Sequence, residues 1–136
     1  MATAGDDQRP PKPVFWLASS LKDLREFPKA VRQTFGQALF DAQTGGKHPD
    51  AKPLRGFHGA GVLEVVEDDV GSTYRAVYTV KFAGAVYVLH AFQKKSKRGA
   101  QTPAADINKV KARLNEAEKH HAEWSAGQDE PGEGNP

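Results

Sequence analysis

The densest group of side chains that could do chemistry is a run of four cations within five residues, Lys94, Lys95, Lys97 and Arg98. The run follows directly after a hydrophobic segment, so a strand that ends here would hold the charges in a defined place. Lysine offers a point charge and arginine a planar fork of donors, and both suit phosphate oxygens. The alternative is a solvated basic loop that only protects a strand edge.

Two further residues are candidates for the same site. Arg75 lies inside a predicted strand over residues 73–82, where side-chain alternation places it on the face opposite Tyr74. A mid-strand arginine either pairs with a carboxylate, such as Glu64 on the neighbouring strand, or lines a polar concavity beside the cationic run. His90 lies on the following predicted strand and could transfer a proton, or it could be a core histidine with satisfied hydrogen bonds.

The sequence excludes several other kinds of site. The chain has no cysteine, which excludes disulfides, thiolate metal sites and a cysteine nucleophile. The pair His120-His121 does not have the spacing of a helical zinc pair, and no phosphate-cradling glycine loop or nucleophile elbow occurs. We therefore expect no metal and no cofactor. No stretch approaches the ~18–20 apolar residues of a membrane span, and the N-terminus lacks the apolar core of a signal peptide, so a cytoplasmic protein is expected.

One chemistry on a phosphate polymer needs neither a metal nor a thiol. In RNA the 2′-hydroxyl of the substrate can attack the adjacent phosphorus, a route that is closed to DNA. The protein must then orient the chain, assist proton transfer and stabilise the charge that develops on the phosphate. Arginine and lysine can perform the last task, and lysine, histidine or tyrosine can assist with protons.

The charge of the chain is unevenly divided. The 136 residues include 19 basic and 17 acidic side chains, for a net charge of +2. Residues 1–50 carry +1, residues 51–113 carry +6 and residues 114–136 carry −5. A basic middle is thus cancelled by an acidic end, and this asymmetry favours an anionic partner.

The apolar pattern predicts one α+β domain over residues 12–124, with disordered tails at residues 1–11 and 125–136. A short strand and two helices come first, and the second helix carries an apolar stripe that includes Phe35. A loop-rich segment over residues 47–61 and three strands follow, and a last helix opens at Thr102-Pro103. Short connections make the three strands consecutive and antiparallel. We expect the helices to pack on one face of a small antiparallel sheet. The predicted strands span 14–17, 62–67, 73–82 and 85–93.

Several segments form a recognisable series along the chain. Residues 24–28 read LREFP, 52–56 read KPLRG, 61–64 read GVLE, 74–78 read YRAVY and 86–97 read VYVLHAFQKKSK, followed by Gly99, Thr102-Pro103 and Asp106-Ile107. Together they cover about residues 14–115, and they resemble the phage-derived HigB-like toxins of the RelE superfamily.

The resemblance implies a compact RelE-like fold, with two N-terminal helices packed on one face of the sheet and a C-terminal helix. It implies the toxin half of a type II toxin–antitoxin pair that cleaves mRNA without a metal, commonly on the translating ribosome. The implied partners are mRNA, the ribosome and a cognate antitoxin that carries a helix-turn-helix DNA-binding domain. By motif position, the residues implied to line the RNA-facing surface are Arg75, Lys94, Lys95 and Lys97, with Arg55 as an addition. The catalytic candidates are Arg75, Lys94, Lys95 and His90, with the general base left open between a lysine of the run and His90. The RNA-binding candidates are Arg55, Lys97 and Arg98.

A second hypothesis comes from a different functional class. The same basic face would equally serve a degenerate toxin that binds RNA or a protein without cleaving anything. Only cleavage of mRNA separates the two hypotheses, because both predict binding that weakens with salt as counterions are released.

Overall fold

The computed structural model describes residues 10–57, 61–94 and 102–129. Five strands and three helices occur in these ranges. In chain order they are β1 (Val14–Trp16), α1 (Ser20–Arg25), α2 (Lys29–Gln43), β2 (Lys52–Pro53), β3 (Val62–Asp69), β4 (Ser72–Thr79), β5 (Val86–Lys94) and α3 (Ala104–Asp129).

The strands form one sheet in the order β1-β5-β4-β3-β2. The central strands β3, β4 and β5 are consecutive and antiparallel, as predicted. β1 instead runs parallel to β5, with Val14 opposite Val86, so the sheet is mixed rather than antiparallel throughout. The two-residue strand β2 lies at the other edge, in a segment predicted as loop, and Pro53 limits it because proline has no N–H to donate.

The two N-terminal helices pack on one face of the sheet. α2 begins after Pro28 and buries the predicted apolar stripe, in which Phe35 is fully enclosed. The ring of Phe27, between the helices, lies 4.9 Å from that of Tyr74 on β4. Tyr74 and Ala76 belong to this core, which places Arg75 on the opposite face, as predicted.

The C-terminal helix packs on the other face. Val110 and Ala117 of α3 are buried in a second core together with Val77, Tyr87 and Leu89 of the sheet. The expectation that all helices share one face is therefore wrong for α3. The reason is visible in β4 and β5, where consecutive residues of both faces are buried, as expected for strands that are covered on both sides.

α3 continues to Asp129, five residues beyond the predicted domain boundary at Trp124. The centroid of the Trp124 ring lies 5.5 Å from that of Phe15 on the edge strand β1, so the C-terminal half of the helix packs against this edge of the sheet. Residues 125–129, predicted to belong to a disordered tail, are helical, and the rest of that tail lies outside the described residues. Within the ranges described, no helix is long and apolar enough to cross a membrane.

Candidate functional site

The face of the sheet that α3 covers also carries the predicted site residues. Arg75 on β4 lies opposite Phe92 on β5, and Thr73 lies opposite Lys94. Residues directly opposite each other on neighbouring strands share a face of the sheet. Arg75 and Lys94 are therefore diagonal neighbours on one face, with their Cα atoms about 7–8 Å apart. His90 is opposite Val77 and joins the same face. The sheet therefore brings together three of the predicted residues.

Arg75 is buried, with 3% of its surface exposed. Its Nη1 donates to Oε2 of Glu64 at 3.0 Å, and the hydroxyl of Thr102 donates to the same oxygen at 2.7 Å. This arrangement joins β3, β4 and the segment that leads into α3. The ion pair with Glu64 is thus one of the two possibilities that the sequence leaves open, and it neutralises the arginine within the fold.

His90 has partners at both ring nitrogens. Nε2 lies 2.7 Å from Oδ1 of Asp106, and Nδ1 lies 3.0 Å from Nη1 of Arg113. A guanidinium group only donates, so Nδ1 must accept, and the ring hydrogen at Nε2 is donated to Asp106. The ring also stacks on Phe92, with centroids 4.6 Å apart.

The electrostatic environment of His90 favours its neutral form. The residue is 4% exposed, and burial lowers the pKa of its side chain. The positive charge of Arg113 acts in the same direction, whereas the hydrogen bond to Asp106 opposes the shift. With both nitrogens engaged, His90 matches the satisfied core histidine more closely than a base that meets a ligand.

The remaining predicted cations are spread more widely. Lys94 is half-buried at the end of β5, where the cationic run begins, and Arg55 is exposed just after β2. β2 lies three strand positions from β5, which is about 14 Å across the sheet, so the fold does not bring Arg55 beside Lys94. Lys95, Lys97 and Arg98 lie outside the described residues.

Sequence reasoning missed the residues that α3 contributes. Asp106 and Arg113, which lie two turns apart on the helix, both reach His90, and Thr102 reaches Glu64 from the segment before the helix. A spacing of seven places Asp106 and Arg113 on one side of a helix. That signal was present in the sequence, but the packing of α3 against this face was not predicted.

The histidines near the end of α3 serve packing at the opposite end of the sheet. The hydroxyl of Tyr87 and Nδ1 of His120 lie 2.7 Å apart, and the His121 ring stacks on Phe82 at 5.2 Å. Across residues 10–57, 61–94 and 102–129, no group of three histidine, aspartate or glutamate side chains is arranged to hold a metal ion.

Comparisons with known proteins give one family. The model of a family described as phage-derived protein Gp49-like (DUF891) matches residues 22–115. No curated protein matches the chain.

Two solved structures resemble the fold at low sequence identity. A mutant Escherichia coli toxin RelE in the free state is 19% identical with a TM-score of 0.46, over 66% of this chain and 88% of that chain. The toxin–antitoxin complex RelBE2 from Mycobacterium tuberculosis contains a chain that is 23% identical with a TM-score of 0.41, over 67% of this chain and 100% of that chain.

Proposed function

The protein belongs to the phage-derived Gp49-like family, and we propose that it is the toxin of a type II toxin–antitoxin pair, a metal-independent mRNA endoribonuclease that acts on the ribosome. Family membership supports the proposal because all the segments given above that resemble HigB-like toxins of the RelE superfamily fall within residues 22–115. The assignment to the HigB-like branch is part of the proposal.

The observation that carries the proposal is the shared face of Arg75 and Lys94. Lys94 is the first residue of the cationic run, so the run starts on the face that holds the Arg75–Glu64 pair. Lys94 is half-buried, and it is the last residue of β5, so the backbone that carries its charged side chain is held in the sheet. A fixed cation beside a polar floor is suited to bind the backbone of a single RNA strand.

In the proposed reaction the 2′-oxygen of one nucleotide forms a bond to its 3′-phosphorus, and the bond from that phosphorus to the next 5′-oxygen breaks. The 2′-hydroxyl loses a proton and the departing 5′-oxygen gains one, so a 2′,3′-cyclic phosphate and a 5′-hydroxyl result. We assign phosphate binding to Lys94, Lys97 and Arg98, and proton transfer to a lysine of the run such as Lys95. The Arg75–Glu64 ion pair, which carries no net charge, forms the polar floor of the site beside these cations.

Two of the predicted residues, His90 and Arg55, lie in positions that favour a lesser role in the reaction. Both nitrogens of His90 are engaged inside the fold, so its direct role in proton transfer is the weakest part of the predicted site. Arg55 would contact RNA at a distance from the reacting phosphate, because it lies beyond β3 at the sheet edge. The proposed partners are mRNA, the ribosome and a cognate helix-turn-helix antitoxin that covers the basic face, all in the cytoplasm.

A non-catalytic binding module is the second candidate. It is favoured by the burial of Arg75 and His90, each of which is held by partners from its own chain. In this case the basic face binds RNA or a protein and no bond is cleaved.

Purified protein added to ribosomes that translate a defined mRNA distinguishes the two candidates, with cuts mapped by primer extension. We expect defined cuts from the parent protein and at least tenfold fewer from Lys94→Ala. The matched control is Lys29→Ala, because Lys29 is an exposed lysine at the start of α2 on the other face of the sheet. Binding to ribosomes or RNA without cuts would favour the binding module, and equal cutting by both variants would remove Lys94 from the site.

A further inference from the structure

Arg113 is held in place by two neutral acceptors. Its Nη1 donates to the carbonyl oxygen of Leu89 at 3.0 Å and to Nδ1 of His90 at 3.0 Å. Both acceptors belong to β5, so the guanidinium of this α3 residue is fixed against the sheet. Fixing one nitrogen in this way leaves the rest of the planar fork to meet a ligand in a defined orientation.

The positive charge of Arg113 is not neutralised in the way that Arg75 is. Arg75 has Glu64 at 3.0 Å, whereas no carboxylate among the described residues lies within 4.0 Å of the Arg113 guanidinium. Arg113 is nevertheless half-buried, and its hydrogen bonds on β5 go to neutral acceptors only. Lys109, one turn earlier on α3, adds a second positive charge near His90. Together these charges form an anion-attracting pair on one flank of α3.

Asp106 determines whether His90 can hold Arg113. The carboxylate accepts the Nε2 hydrogen at 2.7 Å, which leaves Nδ1 as an acceptor that faces Arg113. If the ring hydrogen moved to Nδ1, two donors would face each other and the contact would be lost. Asp106 and His90 therefore act on the guanidinium from inside the fold.

We infer that Arg113 binds a phosphate group of single-stranded RNA, and that Asp106 and His90 are positioning residues which orient its guanidinium. This inference rests on the proposed function for the identity of the polyanion. His90 lies on the same face as Lys94, four residues earlier on β5 and about 13 Å away along the strand. Arg113 and Lys94 would thus contact different phosphates of one RNA strand.

The first test measures binding of a fluorescent RNA oligonucleotide in which every ribose is 2′-O-methylated, so that it cannot be cleaved. Anisotropy is followed over a series of salt concentrations for the parent, Arg113→Gln and Lys119→Gln. Lys119 is the matched control because it is an exposed lysine on the side of α3 that faces away from the sheet. We expect Arg113→Gln to weaken binding about tenfold at low salt and to reduce the salt slope by about 0.7, the value for one single-strand phosphate contact. Lys119→Gln should stay within twofold of the parent.

The second test uses Asp106→Asn, whose amide can donate to Nε2 and so move the ring hydrogen to Nδ1. Removal of a negative charge would by itself strengthen binding to a polyanion. The positioning role predicts the opposite, a weaker affinity and the same reduced salt slope as Arg113→Gln. Nitrogen NMR shifts of the His90 ring report the change of tautomer independently of binding.

The outcomes separate this inference from the proposed function. Unchanged binding by Arg113→Gln overturns the inference even if mRNA is cleaved as proposed, and tighter binding by Asp106→Asn with a switched tautomer overturns the positioning role. Loss of binding in Arg113→Gln supports the inference even if no mRNA is cut. A parent protein that binds no oligonucleotide contradicts the phosphate contact, and ribosome cleavage then decides the proposed function separately.

Discussion

Glu64 and Arg75 form an ion pair beneath α3, with Oε2 and Nη1 3.0 Å apart, although the two residues are not directly opposed in the sheet. The residue opposite Arg75 is Val66, so the pair spans a diagonal between β3 and β4. The side chains are only 4% and 14% exposed, for Arg75 and Glu64 respectively. At such a buried pair, the loss of one partner leaves the other as an uncompensated charge.

We therefore predict that Arg75→Met and Glu64→Met each lower the free energy of unfolding by about 3–5 kcal/mol. The double variant should recover most of that loss, since no lone charge remains. Urea denaturation of the four proteins measures this coupling. Single losses below about 1 kcal/mol would mean that the pair is effectively solvated. A loss of mRNA cleavage in Arg75→Ala alone would consequently not identify Arg75 as a catalytic residue.

The second prediction concerns pH and His90. Because burial lowers the pKa of His90 from its ordinary 6.5, the unfolded state binds a proton at a higher pH than the folded state. The contribution of His90 to the free energy of unfolding should therefore be constant above about pH 7 and fall as the pH drops below 6.5. Urea midpoints at pH 7.5 and pH 5.5 test this expectation.

His90→Gln is the comparison for that series. Its urea midpoint should change less between the two pH values than that of the parent, because the titrating group is gone. An equal or larger change in the variant would contradict the assignment of the pH dependence to His90.

The third prediction concerns the turn between β3 and β4. Val70 and Gly71 both have positive φ, 43° and 78°, which is the type I′ geometry that asparagine followed by glycine prefers. Val70 is 94% exposed, so its side chain gains little from packing. Val70→Asn should raise the free energy of unfolding by about 1 kcal/mol, because a β-branched residue is strained in the left-handed region.

Val80→Asn serves as the control for this turn. Val80 is also an exposed valine, 38% accessible, but it is not among the residues with positive φ. It should show no gain in thermal denaturation. If both variants, or neither, were more stable than the parent, the strain assigned to Val70 would be contradicted.

The parts of the fold that were predicted correctly are those set by local patterns. The apolar stripe of α2 and the short connections of β3, β4 and β5 can be read within one or two elements, and alternation placed Arg75 on the correct face. β2 was not predicted, because two residues carry no periodicity. The position of α3 was also missed, because the face of the sheet on which it packs depends on which face α1 and α2 already cover.

The candidate site divides in the same way. Arg75, His90 and Lys94 could be identified from residue type and strand position. Their partners Glu64, Asp106 and Arg113 lie 11, 16 and 23 residues from the residues they contact, and only Glu64 could be suggested, because it lies on a neighbouring strand. The remaining contacts depend on the path of α3, which no local pattern determines.

The proposed reaction cleaves mRNA through the 2′-hydroxyl of the mRNA itself. The most direct measurement compares a defined mRNA with the same mRNA carrying one 2′-deoxynucleotide at a mapped cut, each translated in the presence of the purified protein. We predict that the deoxy substitution abolishes that cut and leaves the other cuts intact. The upstream fragment of the unmodified mRNA should end in a 2′,3′-cyclic phosphate or its hydrolysed form. Equal cutting of both mRNAs at that position would contradict the account.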